Sequence, residues 1–201
     1  MPLWLADRPL ILASRSSVRR AMLEAAGIPV EIEPADIDER ALERNTPDPA
    51  EAVARMLARE KAHAVAARRP SRLVVGADQI LALGERRFSK PADRAAAQSQ
   101  LKELRGRTHE LHSAAALIQD GTVRFEYSDT ARLTMRSFSD SFLDAYLDAA
   151  GTAVTDSVGA YQLERTGIQL FERVEGDYFT VLGLPLLPLL VFLRSAGLLA
   201  A

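Results

Sequence analysis

PLILASRSSVRRAMLEAAGIPVEIEPA, residues 9–35, packs a strand, a turn, a helix and a second strand into one unit. The apolar run Leu10-Ile11-Leu12-Ala13 reads as a short buried strand. A serine-rich turn follows, then a helix from about Val18 to Ala26 closed by Gly27, and IPVEIEPA forms the next strand. The turn gathers Ser14, Ser16, Ser17, Arg15, Arg19 and Arg20 directly behind the first strand. A helix N-terminus offers unpaired N–H groups and the positive end of a dipole. Hydroxyls add donors there, and an arginine one turn in can grip phosphate oxygens as a fork. A capping serine with two solvated arginines explains the same residues.

Working outward, TPDPAEAVARMLAREKAHAVAARR is the strongest helix, with Val53, Met56, Leu57 and Val65 at helical spacing and Asp48-Pro49 in its first turn. Its alanines read as plain helix formers without functional message. RLVVGAD reads as a buried strand ending at Gly76-Ala77-Asp78, and ILALGERRF as a hairpin across Gly84. Pro91 and Asp93 open another helix through Leu104, and the segment from His109 to Met135 is a long antiparallel pair turning at Asp120-Gly121. Ser139 or Ser141 caps a helix to Ala149; a glycine-punctuated strand region and a helix after Pro185 complete the chain. Helices alternating with strands, then a hairpin, predict an α/β fold with a mixed twisted sheet and flanking helices. With no repeat, low-complexity segment or linker, residues 1–201 are expected to form a single domain.

The composition, 48% hydrophobic and 26% charged over 201 residues, is that of a globular protein and excludes disorder. A net charge of −2 gives no broad footprint for nucleic acid, so a phosphate-binding feature must be local. The absence of cysteine excludes disulfides, thiolate zinc sites and a cysteine nucleophile. His63, His109 and His112 are too scattered for a histidine-rich metal site, and the last two read as structural. Asp7 and Arg8 interrupt the apolar start, so no targeting segment is expected. Val181–Leu193 contains Pro185 and Pro188 and falls short of the roughly 20 residues that cross a bilayer. A cytoplasmic protein without membrane or nucleic-acid partners is the expectation.

Asp78, at the end of its strand, stands where ligands bind in open α/β sheets, as a general base, a metal ligand or a plain turn aspartate. DIDER clusters Asp36, Asp38 and Glu39, which suits a hard cation such as Mg²⁺, although a solvated acidic loop is the simpler reading. Lys90 before Pro91 is a rigid perch for a charge aimed at phosphate, or a surface lysine. Lys61 sits on the long helix, where a solvated face is the default.

The order of these segments is more specific than any one of them. The serines and arginine after the first strand, then DIDE, AREKA, VVGADQ, KP, GRTHEL, GAY and VEGDYFTVLGLPL, resemble the Maf family of nucleotide pyrophosphatases from about Leu10 to Leu193. The resemblance implies two lobes around a cleft, an architecture related to inosine-triphosphate pyrophosphatase, and usually a homodimer. It implies hydrolysis of a nucleoside triphosphate to monophosphate and pyrophosphate with Mg²⁺ or Mn²⁺. On this sequence the family's phosphate-binding residues fall on Ser14, Ser16, Arg19, Lys61 and Lys90, and its catalytic or metal-holding acids on Asp78 and Glu39.

Three positions track base preference within the family and fall on Val18, Gln79 and Glu164. Gln79 and Glu164 match the branch acting on 7-methyl-GTP rather than the one acting on dTTP and UTP. A carboxylate at Glu164 complements guanine N–H donors and a positively charged methylated ring. Val18 departs from the branch by removing an aromatic surface for the purine, a contact of roughly 0.5 to 2 kcal/mol. The resemblance leaves two alternatives: a dTTP/UTP pyrophosphatase, and a nucleotide-binding regulator of septum formation.

Overall fold

The computed structural model describes residues 2–44, 46 and 49–201. The chain divides into two compact units, the first comprising Met1–Gln79, His112–Asp129 and Asp177–Ala201, the second Ile80–Leu111 and Thr130–Gly176.

In the first unit, β1 (Leu10–Leu12) lies between β2 (Val30–Ile32) and β3 (Val74–Leu83) and is parallel to both. All three β1 residues are buried because both faces of the sheet are covered. Leu10, Leu12, Val75 and Ala77 pack on Met22 and Leu23 of α1 (Ser17–Ala25) and on Leu189 and Leu193 of α7 (Leu186–Ser195). Ile11 and Val74 face the other way, onto Ala62 and Val65 of α3 (Ala50–Ala66). Period-two alternation thus sends Val74 to one cover and Val75 and Ala77 to the other. α2 (Glu39–Arg44) precedes α3, and Asp48, expected in the first turn of α3, lies outside the described residues. β5 (Thr108–Gln119) and β6 (Thr122–Met135) join at Asp120 and Gly121, whose φ values of 50° and 74° suit a tight hairpin turn. α6 (Tyr178–Val181) is capped by Asp177.

In the second unit, β4 (Arg86–Phe88) pairs back on β3 across Gly84. α4 (Arg94–Leu104) and α5 (Asp140–Ala150) start at Asp93 and Ser139, whose side chains accept from Ala96 and Phe142 N–H groups. β7 (Phe171–Glu175) pairs antiparallel with β6. The hydrogen-bonding order is β2-β1-β3-β5-β6-β7 with β4 on β3, an open mixed sheet with flanking helices, as the alternation of elements predicts.

Two expectations need correction. β3 does not end at Asp78 but runs on to Leu83, because Ile80, Leu81 and Ala82 are buried and continue the strand. The glycine-punctuated region is mostly 3₁₀ turns, Gly151–Thr155, Val158–Ala160 and Thr166–Leu170, and only Phe171–Glu175 is strand. Gly167 serves close packing there, since a Cβ would stand 2.4 Å from the Gln162 carbonyl oxygen. No helix among the described residues is long and apolar enough to cross a membrane.

Candidate active site

The site begins with a glycine. Gly76 and Asp78 share the face of β3 that meets α3, and a Cβ at Gly76 would stand 2.1 Å from the Ala58 carbonyl oxygen and 2.7 Å from the Ala62 nitrogen. Only hydrogen at Gly76 and methyls on α3 let strand and helix come this close. Lys61, between those alanines in sequence, is thereby carried to Asp78. The alanines of α3 therefore have a functional consequence, contrary to their reading as plain helix formers.

Lys61 is buried, 6% exposed, rather than on a solvated face. Its ammonium donates to Asp78 Oδ1 at 2.5 Å and to Glu39 Oε2 at 2.7 Å. Asp78 is equally buried, while Glu39, the first residue of α2, is half-exposed. Burial pushes the Asp78 carboxyl above its usual range, against the charges of Lys61 and Arg19 and the lysine hydrogen bond, with Glu39 adding to the rise. The acidic DIDER cluster separates by role. Asp36 pairs in solvent with Arg15 at 2.9 Å, Asp38 accepts from the Ala41 N–H, and Glu39 alone turns to Lys61.

Arg19 lies one turn into α1. Its Nε donates to the Gly183 carbonyl at 2.7 Å and Nη1 to the Ala77 carbonyl at 2.8 Å. Nη2 has no hydrogen-bond partner among the described residues, so one edge of the guanidinium is open. Burial lowers the Arg19 pKa, with Asp78 and Glu39 opposing, yet a guanidinium keeps its charge in any protein. Ser16 is the N-cap of α1 and accepts from the Arg19 N–H, while Ser14 accepts from the Ser16 N–H and from Arg19 Nη1. Both hydroxyls accept inward and keep an O–H to donate. The capping and phosphate-cradle readings of these serines are therefore compatible.

Ser14, Ser16, Arg19, Glu39, Lys61, Asp78 and Gln79 thus belong to the first unit. Val18, also there, packs against the apolar core of α1 and α7. Lys90 and Glu164 belong to the second unit, Lys90 exposed between β4 and α4, Glu164 exposed in the turn before Thr166. Sequence reasoning missed Ser113, Thr180 and Gly183. Ser113 and Thr180 are buried polar residues, which demand partners, and one serine inside the apolar run of β5 was the available signal.

As it stands, the cluster of Arg19, Lys61, Glu39 and Asp78 balances two cations against two carboxylates. Among the described residues no three His, Cys, Asp or Glu side chains converge as a metal site. Two carboxylates reaching one ammonium do fit a hard cation that takes its other ligands from water and phosphate.

This fold and site define an α/β protein with a buried lysine–carboxylate pair beside a partly free arginine. The chain belongs to the Maf family: the profile described as Maf-like protein matches residues 9–196. A nucleoside triphosphate pyrophosphatase of Bradyrhizobium diazoefficiens is 57% identical over 202 residues, covering 100% of both chains. A 7-methyl-GTP pyrophosphatase of Mesorhizobium japonicum is 52% identical over 191 residues, 94% of this chain and 96% of its own. Among solved structures, the Ham1 protein of Staphylococcus aureus is 15% identical with a TM-score of 0.45, covering 64% of this chain and 72% of its own.

Proposed function

We propose that this protein hydrolyses nucleoside triphosphates between the α and β phosphates, and that its preferred substrate is 7-methyl-GTP or another modified purine. The enzyme class, a nucleoside triphosphate pyrophosphatase, is that of relatives matching it over their full length. The observation that carries the reading is the buried Asp78 carboxylate, bonded to a lysine that also holds Glu39.

In the reaction water adds across the Pα–O–Pβ bridge, its hydroxyl going to one phosphorus and the bridging oxygen leaving with the other. Asp78, buried beside Lys61, takes the water proton. Lys61 keeps the two carboxylates together and supplies charge beside them. The open edge of Arg19 and the hydroxyls of Ser14 and Ser16 hold phosphate oxygens. When bound to Asp78 and Glu39, Mg²⁺ or Mn²⁺ supplies further neutralisation of phosphate charge. Gln79 and Glu164 support the 7-methyl-GTP reading, as does the Mesorhizobium relative. A homodimer belongs to the reading through the resemblance alone, and a place in the cytoplasm through the interrupted apolar start and the short, proline-broken Val181–Leu193 run.

The test is pyrophosphate release from a panel of GTP, 7-methyl-GTP, dTTP, UTP, CTP and ITP with Mg²⁺. Preference for 7-methyl-GTP is expected, and Asp78→Asn is expected to lower kcat by about 10²–10⁴ while the protein stays folded. Preference for dTTP or UTP overturns the specificity. Absence of pyrophosphate from every nucleotide favours the septum regulator.

A further inference from the structure

Gln79 stands on the other face of β3 from Asp78, the face of Val75 and Ala77. Its Nε2 lies 2.9 Å from Ser113 Oγ, 3.1 Å from the Thr180 carbonyl and 3.0 Å from the Val181 carbonyl. Ser113 Oγ in turn donates its single proton to the Thr180 carbonyl at 2.7 Å, which leaves only lone pairs toward Gln79. Every group around that end of the carboxamide is an acceptor. The end that faces them must therefore be the NH₂, and no flip of the amide satisfies them equally well.

The oxygen is consequently turned outward. Oε1 accepts no hydrogen bond from any described residue. It shares its surroundings with the open edge of Arg19: a Cβ at Gly183 would stand 3.2 Å from Arg19 Nη2 and 3.6 Å from Gln79 Oε1. Gly183, with φ of +93°, leaves both groups uncovered. The lock is supported from behind, because Thr180 Oγ1 donates to Asp129 Oδ2 at 2.7 Å and the Thr180 N–H is capped by Asp177.

We propose that Ser113 is a positioning residue that holds Gln79 as a fixed acceptor for the ring N–H of a lactam base, such as guanine or 7-methylguanine. This rests on the reading of Gln79 as a nucleoside contact. Bases whose ring nitrogen carries a lone pair at that edge, adenine and cytosine, set lone pair against lone pair and are disfavoured. Ser113 touches no substrate; with its proton committed to the Thr180 carbonyl it adds a third acceptor to the Thr180 and Val181 carbonyls, and together they deny Gln79 the inverted orientation.

The experiment compares GTP with ATP in the native protein, Ser113→Ala, Ser113→Thr, Gln79→Ala and the double variant Ser113→Ala/Gln79→Ala. The GTP:ATP ratio is read twice, from kcat/KM of pyrophosphate release and from Kd by calorimetry, so that the second readout stands if hydrolysis is absent. Ser113→Ala is expected to lower the ratio by about tenfold, the effect of one hydrogen bond, through the KM of GTP with kcat held. Ser113→Thr, which keeps the hydroxyl, restores the ratio, and in the Gln79→Ala background Ser113→Ala changes nothing further. An equal loss with and without Gln79, or no loss, overturns the lock. An unchanged ratio in Gln79→Ala overturns the nucleoside contact and the proposal with it, whereas pyrophosphate failure with an intact Kd ratio overturns only the hydrolytic reading.

Discussion

His109 shows how a single buried side chain ties this protein's stability to pH. It is 1% exposed, its Nε2 lies 2.7 Å from the Tyr161 hydroxyl, and its buried Nδ1 has no partner among the described residues. Burial pushes its pKa down from 6.5 to about 4 and raises that of Tyr161 well above 10. The folded value is depressed, so the unfolded chain binds the proton more readily. The neutral ring's contribution is complete above the unfolded pKa and is lost as pH falls toward the folded one. Stability is expected to drop by roughly 3 kcal/mol between pH 6.5 and 4. Urea unfolding at half-unit intervals checks this, and His109→Phe, which keeps a ring beside Tyr161 and Phe171, should flatten the slope. The structural reading of His109 holds, but nothing in the spacing announced the tyrosine fifty-two residues on. The same holds for Lys61, Glu39 and Asp78. Each residue type was suggestive, and their meeting depends on a close approach that no local pattern encodes.

At the scale of elements, α1 was readable nearly residue by residue, since a serine N-cap and a positive-φ Gly27 bracket it. β3 was not. Gly76 and Asp78 look like turn residues, and both sit inside a ten-residue strand, the glycine for helix contact and the aspartate for its ion pair. The cap of α1 offers a way to separate its two duties. Aspartate caps a helix as well as serine does, but it brings a negative charge where phosphate is expected. Ser16→Asp should leave the melting temperature near the native one and raise KM for a triphosphate about tenfold or more. Ser16→Ala should cost about 1 kcal/mol of stability. Thermal melts beside steady-state kinetics distinguish the two variants.

At the scale of the whole molecule, overall charge and local charge separate. The chain carries −2 in total, and the two cations and two carboxylates of Arg19, Lys61, Glu39 and Asp78 cancel before any ligand arrives. Because Lys61 already bridges the two acids, the fold does not depend on a metal to hold them. EDTA should therefore abolish hydrolysis while leaving the melting temperature unchanged, a result that scanning calorimetry and a pyrophosphate assay read together. The α/β class was legible from the alternation of apolar runs with helical periods. No linker marks the two units in the composition, because β3, β5 and β6 each contribute residues to both; two lobes were expected through the resemblance alone.

The contact of Gly76 with Ala58 and Ala62 also bears on how such a sequence can drift. These positions carry no group that ionises, donates or attacks, so a catalogue of reactive residues would count them as free to vary. Gly76 is nonetheless tightly confined. One added methyl at Gly76 would meet backbone, which cannot swing aside as a side chain can. An inherited loss of this enzyme could thus arise at a position with no chemistry of its own, through the few tenths of a nanometre it withholds from its neighbours.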